Sequence, residues 1–509
     1  MVKKIISILL ICIFFFFLTS CNSEESLQNI SVGLNGNWHI DGIDTNIKAK
    51  TEDGRETIFR IENGVIEWRY SDSEEWNVLV IVESGIIQDE YTEGLILNEV
   101  TGRGYMVVGY DGDEENIVIP ATYRGLEVFK IGDNAFAESN IKKIKIGKNV
   151  KCLGEYAFEG STVENVVFAD GSTLEEIGDG AFYNCDFLEE INVPNTLQKL
   201  GRCAFFLNDS LKCEYDDIYG VKYIGSKENP FLICYDTVST NVKKCVINKN
   251  CKFINDYSFT YCSSLESVSI PEGVLSIGDS AFYSCGIKSV KIPSTVKYIG
   301  DATFNCSSEI EEMIVDENNL IYDSRENSNA IIETKTNTLM YGCKNTIIPE
   351  DIEVIRDKAF YGISSLESIY IPASVSKIGI YVFSMCTSLS GIEVDINNKI
   401  FTSRDKNNVN CNVIIQNGSY SQTLIYGGCG SDGKLVIPEG VNYIDVEAFR
   451  GRLLLVEITL PKSLSAIREH AFEYCQNLKT INNKSKLNLT LKSSENGKVA
   501  YYAEIINTI

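Results

Sequence analysis

The same order of apolar and polar positions runs twice through residues 259–304. Phe259 opens "FTYCSSLESVSIPEGVLSIGDSA" and Phe282 opens "FYSCGIKSVKIPSTVKYIGDAT", before Phe304 starts the next line. Within a line, Leu265, Val268 and Ile270 are apolar and the residues between them polar, which predicts a short strand with one buried side. Pro271 ends that strand, because proline cannot donate to a ladder. Val274–Gly278 is a second short apolar segment, where Gly278 is expected to permit a tight bend. Ala281 and Phe282 then fill the convex side, Ala where successive turns crowd and Phe across the gap between the two segments.

The anchoring Phe recurs at 136, 158, 182, 205, 259, 282, 304, 360, 383, 449 and 472, mostly at spacings of 22 to 24 residues. A unit this small cannot bury its own apolar face, so a repeat of this length means a solenoid whose units stack. Three spacings are longer. Residues 206–258 and 305–359 read as degenerate double turns, and 384–448, with "NGSYSQTLIYGGCGSDGKL", as an exposed loop or hairpin. Residues 101–135 keep the Ile-Pro and Ile-Gly marks without a preceding Phe and are expected to cap the N-terminal end. Val499–Ile506 is expected to be a C-terminal cap strand.

"SLESVSIPEGVLSIGDSAF" and "SLESIYIPASVSKIGIYVF" resemble the BspA-type leucine-rich repeats of bacterial and protist surface proteins. The resemblance spans roughly 99–509, and "YIGSKENPFLI" and "NLIYDSRENSNAIIETKTNTLMYGCKNTIIP" are similar to that family's expanded repeats. It implies a leucine-rich repeat solenoid, β-rich, with short strands on the concave face. It also implies a secreted or cell-surface protein that binds other molecules through the solenoid, without fixing a ligand.

Residues 1–21 read as a signal segment: Lys3 and Lys4, then an apolar stretch from Ile5 to Leu18 that is too short for a comfortable membrane span. Leu18-Thr19-Ser20-Cys21 is similar to a bacterial lipobox, which implies cleavage before Cys21 and lipid on its thiol; a simple signal peptide with a chance Cys is the alternative. Residues 22–29 would then be a polar tether, and several acyl chains together anchor stably. Residues 30–83 form a separate small all-β module, since "LNGNWHIDGIDTNIKA" and "IENGVIEWRYSDSEEWNVLV" alternate around Asp-Gly and Asn-Gly turns. It holds all three Trp, which serve a module core or stack on sugars, and it resembles an "NGNW…DT" module of bacterial surface proteins. Residues 84–100 are expected to be the linker to the solenoid at 101–509.

The net charge of −24 argues against nucleic acid, whose phosphates demand a basic surface. Among the 17 Cys, Cys185, Cys262, Cys285, Cys386 and Cys475 stand three residues after the anchor Phe, with Cys306 two after. This column is either small buried thiols or, on neighbouring turns, bridgeable pairs. No CxxC pair or His-containing cluster points to a metal, and no feature demands a cofactor. The Gly-Asp column (Asp133, Asp179, Asp279, Asp301) reads as Asp capping its own turn, with a calcium column as the alternative. The two His, 39 and 470, form no triad, and the many carboxylates read as a solvated face that supplies Glu–Glu pairs by chance.

Specificity is therefore expected on outward strand positions or on the expanded turns. Lys288, Lys291, Glu367 and Tyr370 represent the first, Tyr322 and Tyr341 the second, alongside Tyr215, Tyr219, Tyr223 and Tyr235. Hot spots favour Tyr, Trp and Arg, and only Tyr370 meets that on the strand face. The function these features imply is a lipid-anchored cell-surface protein that binds an extracellular protein or glycan. A structural surface spacer and, less well supported, an enzyme are the alternatives.

Overall fold

The computed structural model describes residues 90–509, save 217, 238 and 431, together with six strands and a few adjoining residues between 30 and 78. The chain divides into two compact units, 1–89 with 122–125, and 90–121 with 126–509. In the first unit, Ile30–Val32, Asn37–Ile40 and Ile43–Lys48 form one antiparallel sheet and Thr57–Glu62, Val65–Tyr70 and Asn77–Val78 another. Ile40 pairs with Ile43 and Glu62 with Val65 in antiparallel register. Trp68 meets Tyr70 edge-on at 5.3 Å, and the Arg55 guanidinium lies 4.6 Å from the same Tyr ring. The side chains of Trp38 and Trp76 lie outside the described residues.

The second unit opens with an antiparallel hairpin, Leu95–Val100 with Gly104–Tyr110. The expected linker therefore ends earlier than 100: "LILNEV" is a strand that joins the end of the stack. From there the chain winds into coils with two parallel ladders. The first contains Asn116–Ile119, Lys143–Ile146 and Asn165–Phe168, with Ile117, Ile144 and Val166 in register and buried. The second contains Phe253–Ile254, Ser276–Ile277 and Tyr298–Ile299, with Ile254, Ile277 and Ile299 in register. The second short apolar segment is thus a ladder in its own right. Gly278 keeps an ordinary φ; its role is close approach, because a Cβ there would lie 2.3 Å from Asp256 Oδ1 and 2.5 Å from the Asp256 backbone nitrogen. The Asp column also works between coils. Asp179 Oδ1 accepts the Arg202 N–H at 2.9 Å, Asp279 Oδ1 that of Asp301 at 2.7 Å and Asp357 Oδ1 that of Ile380 at 2.9 Å. The expectation of a cap on its own turn is corrected accordingly: the neighbouring coil brings its N–H nearer.

The third side of each coil is the Phe turn. Phe136, Phe158, Phe182 and Phe205 stack at 5.3, 5.0 and 5.3 Å with their planes within 7° of parallel. In all eleven turns the residues two before and two after Phe have positive φ, and only Gly160, Gly180, Gly362 and Gly451 among them are glycine. This costs local strain, and hydrogen bonds offset it. The N–H groups of Tyr156, Phe158 and Gly160 donate to the carbonyls of Asp179, Ala181 and Tyr183 on the next coil.

Four thiols of the Cys column are donors to the backbone. Cys185, Cys285, Cys386 and Cys475 send their S–H to the carbonyl of the Phe one coil earlier, at 2.9–3.1 Å. Asn208 and Ser307 fill the same place and make the same bond at 2.9 and 2.7 Å. The described cysteines are free thiols. Burial pushes the Cys386 and Cys475 thiols up to about 12. After Phe449 the column holds Arg452 instead, wholly buried, with Nε donating to the Gly427 carbonyl at 2.7 Å and Nη1 to that of Cys386 at 3.0 Å.

The long spacings are not double turns. Each holds a three-stranded antiparallel meander: Glu214–Asp216, Val221–Ile224 and Ile233–Thr237; Tyr322–Asp323, Ala330–Glu333 and Thr338–Gly342; Phe401–Arg404, Asn410–Asn417 and Gln422–Gly427. The last strand of each rejoins the second ladder in parallel. In the latter two meanders a Tyr-Gly pair replaces a Phe turn. Tyr341 meets Phe304 edge-on at 5.4 Å, and Tyr426 meets Phe383 at 5.2 Å. Gly342 and Gly427 let the next Phe ring lie where a side chain would be. The last coil is closed by Ile505–Thr508, which pairs in parallel with Thr480–Asn483. The cap strand therefore starts later than expected, while Val499, Ala500 and Ala503 plug the core.

Candidate functional site

Polar residues on the first ladder face outward because the alternate positions are committed to the core. In Ser289–Ile292 and Ser368–Ile371 the burial alternates strictly, leaving Ser289, Lys291, Ser368 and Tyr370 outside. Lys288 and Glu367, just before those strands, are exposed as well. Lys291 pairs with Asp316 at 3.4 Å, and Ile314, in register beside it, is 39% exposed. Tyr370 is in register with Glu393 and donates its hydroxyl to Asp395. That bond pushes the Tyr370 phenol up to about 12 and holds the Asp395 carboxyl below its ordinary value. The four residues thus share one face, but they stand on separate ladder segments, with the second meander between them in sequence.

Much of the charge on this face is spent between neighbouring coils. Lys142 pairs with Glu115 at 2.7 Å, Lys212 with Glu189 at 2.8 Å and Lys434 with Glu457 at 3.3 Å. Beside the third meander the face acquires relief. Residues 405–406 and 409–412, strand Lys434–Val436 and Lys484 help to line a groove of about 450 Å³. The expectation here is an exposed loop or hairpin, and Asn410–Asn417 with Gln422–Gly427 is the hairpin, extended to a meander by Phe401–Arg404.

The expanded-turn tyrosines fall elsewhere. Tyr322 and Tyr341 are core residues, 4% and 3% exposed. The Tyr322 hydroxyl accepts the Ile299 N–H at 3.2 Å. That of Tyr341 accepts the Thr303 N–H at 3.3 Å and donates to the Gly300 carbonyl. The expectation that they meet a ligand is therefore corrected: a buried phenol needs an internal partner, and each has one. Tyr223 is buried with its hydroxyl on the Asn248 N–H at 3.0 Å, and Tyr235 donates to the Asn208 carbonyl at 3.1 Å; Tyr215 is exposed. Cys21 lies outside the described residues.

His470 occupies a left-handed position before Phe472, half-exposed, with Nδ1 3.4 Å from Glu473. Among the described residues no group of three or more His, Cys, Asp or Glu is placed to hold a metal ion, and no helix is long and apolar enough to cross a membrane.

The repeat itself decides the family. The model of the BspA-type leucine-rich repeat region matches residues 114–227, 234–340, 326–424 and 422–494, in six copies. The chain belongs to the BspA-type leucine-rich repeat family. The family is a repeat scaffold, and the β-solenoid of stacked coils described above is its fold. Among solved structures, this BspA-type chain is similar to a leucine-rich cell surface protein from Faecalibacterium prausnitzii, at 23% identity and a TM-score of 0.45, covering 78% of this chain and 94% of that one. It is similar to the pneumococcal vaccine antigen PcpA at 17% identity and a TM-score of 0.37, covering 86% and 90%. A leucine-rich repeat protein from Bacteroides ovatus matches at 20% identity and a TM-score of 0.27, covering 77% and 94%. No curated protein matches the sequence.

Proposed function

We propose that the chain is a bacterial cell-surface lipoprotein that holds an extracellular protein or glycan along the outward face of its first ladder. The carrying observation is that this face presents rows of exposed residues in register, with Tyr370 and Ile314 among polar neighbours. A rigid row of that kind binds by many weak contacts along its length. The family and the lipobox-like Leu18–Cys21 support the surface location. A second reading, a spacer without a ligand, draws on the same face, because its lysines are already neutralised by the next coil.

The anchor is tested by fractionation. Cys21→Ser is expected to move the chain from the membrane fraction to the medium or soluble fraction; a variant that stays with the membrane would overturn the lipoprotein reading. The ligand is tested with the full chain against extracellular-matrix proteins and glycans. Saturable binding that Tyr370→Ala weakens about tenfold or more (the effect of a hot-spot residue) fits the interaction reading, and silence across the panel favours the spacer.

A further inference from the structure

The residues that follow the anchor Phe form a row on the Phe-turn side of the coil, in which Tyr283, Tyr361 and Arg450 reach the surface. From Phe282 to Phe449 this row alternates large and small along the stack: Tyr283, Asn305, Tyr361, Ser384, Arg450. Asn305 and Ser384 are buried, whereas Tyr283 and Tyr361 are only half-buried. Neighbouring coils are about 5 Å apart, so a small residue between two phenols leaves a slot roughly 10 Å wide. The parallel row two residues before Phe adds Lys358, Tyr381 and Glu447 around it. The result is a shallow recess of about 360 Å³, with Ala302 and Asn305 at its floor. Aromatic surface continues past it at both ends. Tyr261, 64% exposed, stands 5.8 Å from Tyr283, and the Arg450 guanidinium lies 5.3 Å from the ring centre of Tyr474.

The chemistry of the recess is amphipathic and of mixed charge. Arg450 is held by Glu447 and by Glu473 at 3.4 Å, and Glu447 also accepts the Ser384 hydroxyl at 3.0 Å. The Tyr283 hydroxyl accepts the Cys306 S–H at 3.2 Å. Glu473 is shared with Lys498, and Lys358 adds a further cation to the lining. A strongly charged chain would meet both signs here, and a purely apolar one would strand the hydroxyl, ammonium and carboxylate groups. A sugar ring satisfies both demands, with C–H faces for the phenol rings and hydroxyls for the rim.

We propose that this Phe-turn recess is a binding site for a neutral glycan, which runs along the stack from Tyr261 toward Tyr474 and seats one sugar between Tyr283 and Tyr361. The site lies on a different side of the coil from the first-ladder face and does not depend on it.

The test is affinity electrophoresis of the full chain through gels containing a neutral polysaccharide (mannan, arabinoxylan or mixed-linkage glucan), an acidic one (polygalacturonate), or none. Retardation by at least one neutral polymer is expected. Tyr361→Ala and Tyr381→Ala should each reduce it at least tenfold, while Tyr361→Phe, which keeps the ring, and Lys335→Ala, exposed at a turn of the second meander, should retain it. Thermal melts accompany each variant, and if Tyr361→Ala unfolds, the half-exposed Tyr381→Ala carries the test. Retardation by none of the neutral polymers, by polygalacturonate alone, or undiminished in the two Tyr→Ala variants would overturn the proposal. So would binding that Lys291→Ala abolishes, since that would place the glycan on the ladder.

Discussion

Phe282→Ala is expected to destabilise the solenoid by roughly 3–5 kcal/mol, against less than about 0.5 kcal/mol for Lys288→Ala six residues later. The Phe282 ring is wholly buried and stacks on Phe259 at 5.1 Å and on Phe304 at 5.7 Å. Truncation therefore removes the faces of two neighbours as well as its own burial. The space cannot collapse easily, because the Phe282 N–H is fixed to the Thr303 carbonyl at 2.9 Å and its carbonyl accepts the Ser307 hydroxyl at 2.7 Å. Lys288 lies outside the ladder and loses only solvated surface. Since coils in a stack open with their neighbours, the check is hydrogen exchange over residues 277–303 alongside a denaturant melt. Equal melts and equal protection in the two variants would refute the assignment of inside and outside.

Arg452→Ala is expected to cost a comparable amount, about 3–5 kcal/mol. Its guanidinium is buried in the core beside the third meander, where it takes the column place held elsewhere by thiol, amide or hydroxyl. Two carbonyls, of Gly427 and Cys386, depend on it, and each would be left without that donor. A small donor suffices where the preceding coil is regular. Here the meander puts Gly427 where a Phe turn would be, and only a long side chain reaches across to both coils. Burial pushes the guanidinium down from its ordinary value, with the Cys386, Cys475 and Cys429 thiols opposing that shift. Arg452→Met keeps most of the volume and removes a buried charge, so it should cost less, about 1–3 kcal/mol. An Arg452→Ala melt within about 0.5 kcal/mol of the parent would show that the two carbonyls find other partners and that the guanidinium braces nothing.

The solenoid was legible in the sequence because its period and its anchor are both written in large side chains: a Phe every 22 to 24 residues cannot be mistaken for chance. The donor role of Cys285 and Asn208 was not, because it appears only when one coil is laid on the last and a carbonyl is found waiting. The same holds for Asp279, whose partner stands 22 residues away, and for Tyr341, which reads like a surface aromatic in an expanded turn until Phe304 is placed against it. The meanders were misread for a related reason: "TLMYG" and "TLIYG" end antiparallel sheets yet start a parallel ladder, and nothing local separates the two roles. The Phe-turn recess was hidden because its residues come from five coils and only their stacking order brings Tyr283, Tyr361 and Tyr381 together.

The left-handed residues flanking every Phe carry an implication for how the chain finds its fold. Tyr156, Tyr257 and Met385 have no intrinsic preference for such backbone, and each adopts it where its N–H can reach a neighbouring coil. A single coil in isolation is therefore a poor folding unit, uphill until an adjacent one templates it. Order should spread from an already formed edge in the manner of a zipper, with the self-paired hairpin Leu95–Tyr110 as the earliest such edge to emerge from the ribosome. Loss of order should begin at the exposed ends and run inward, pausing at the meanders, whose antiparallel pairs hold their own hydrogen bonds when a neighbour departs.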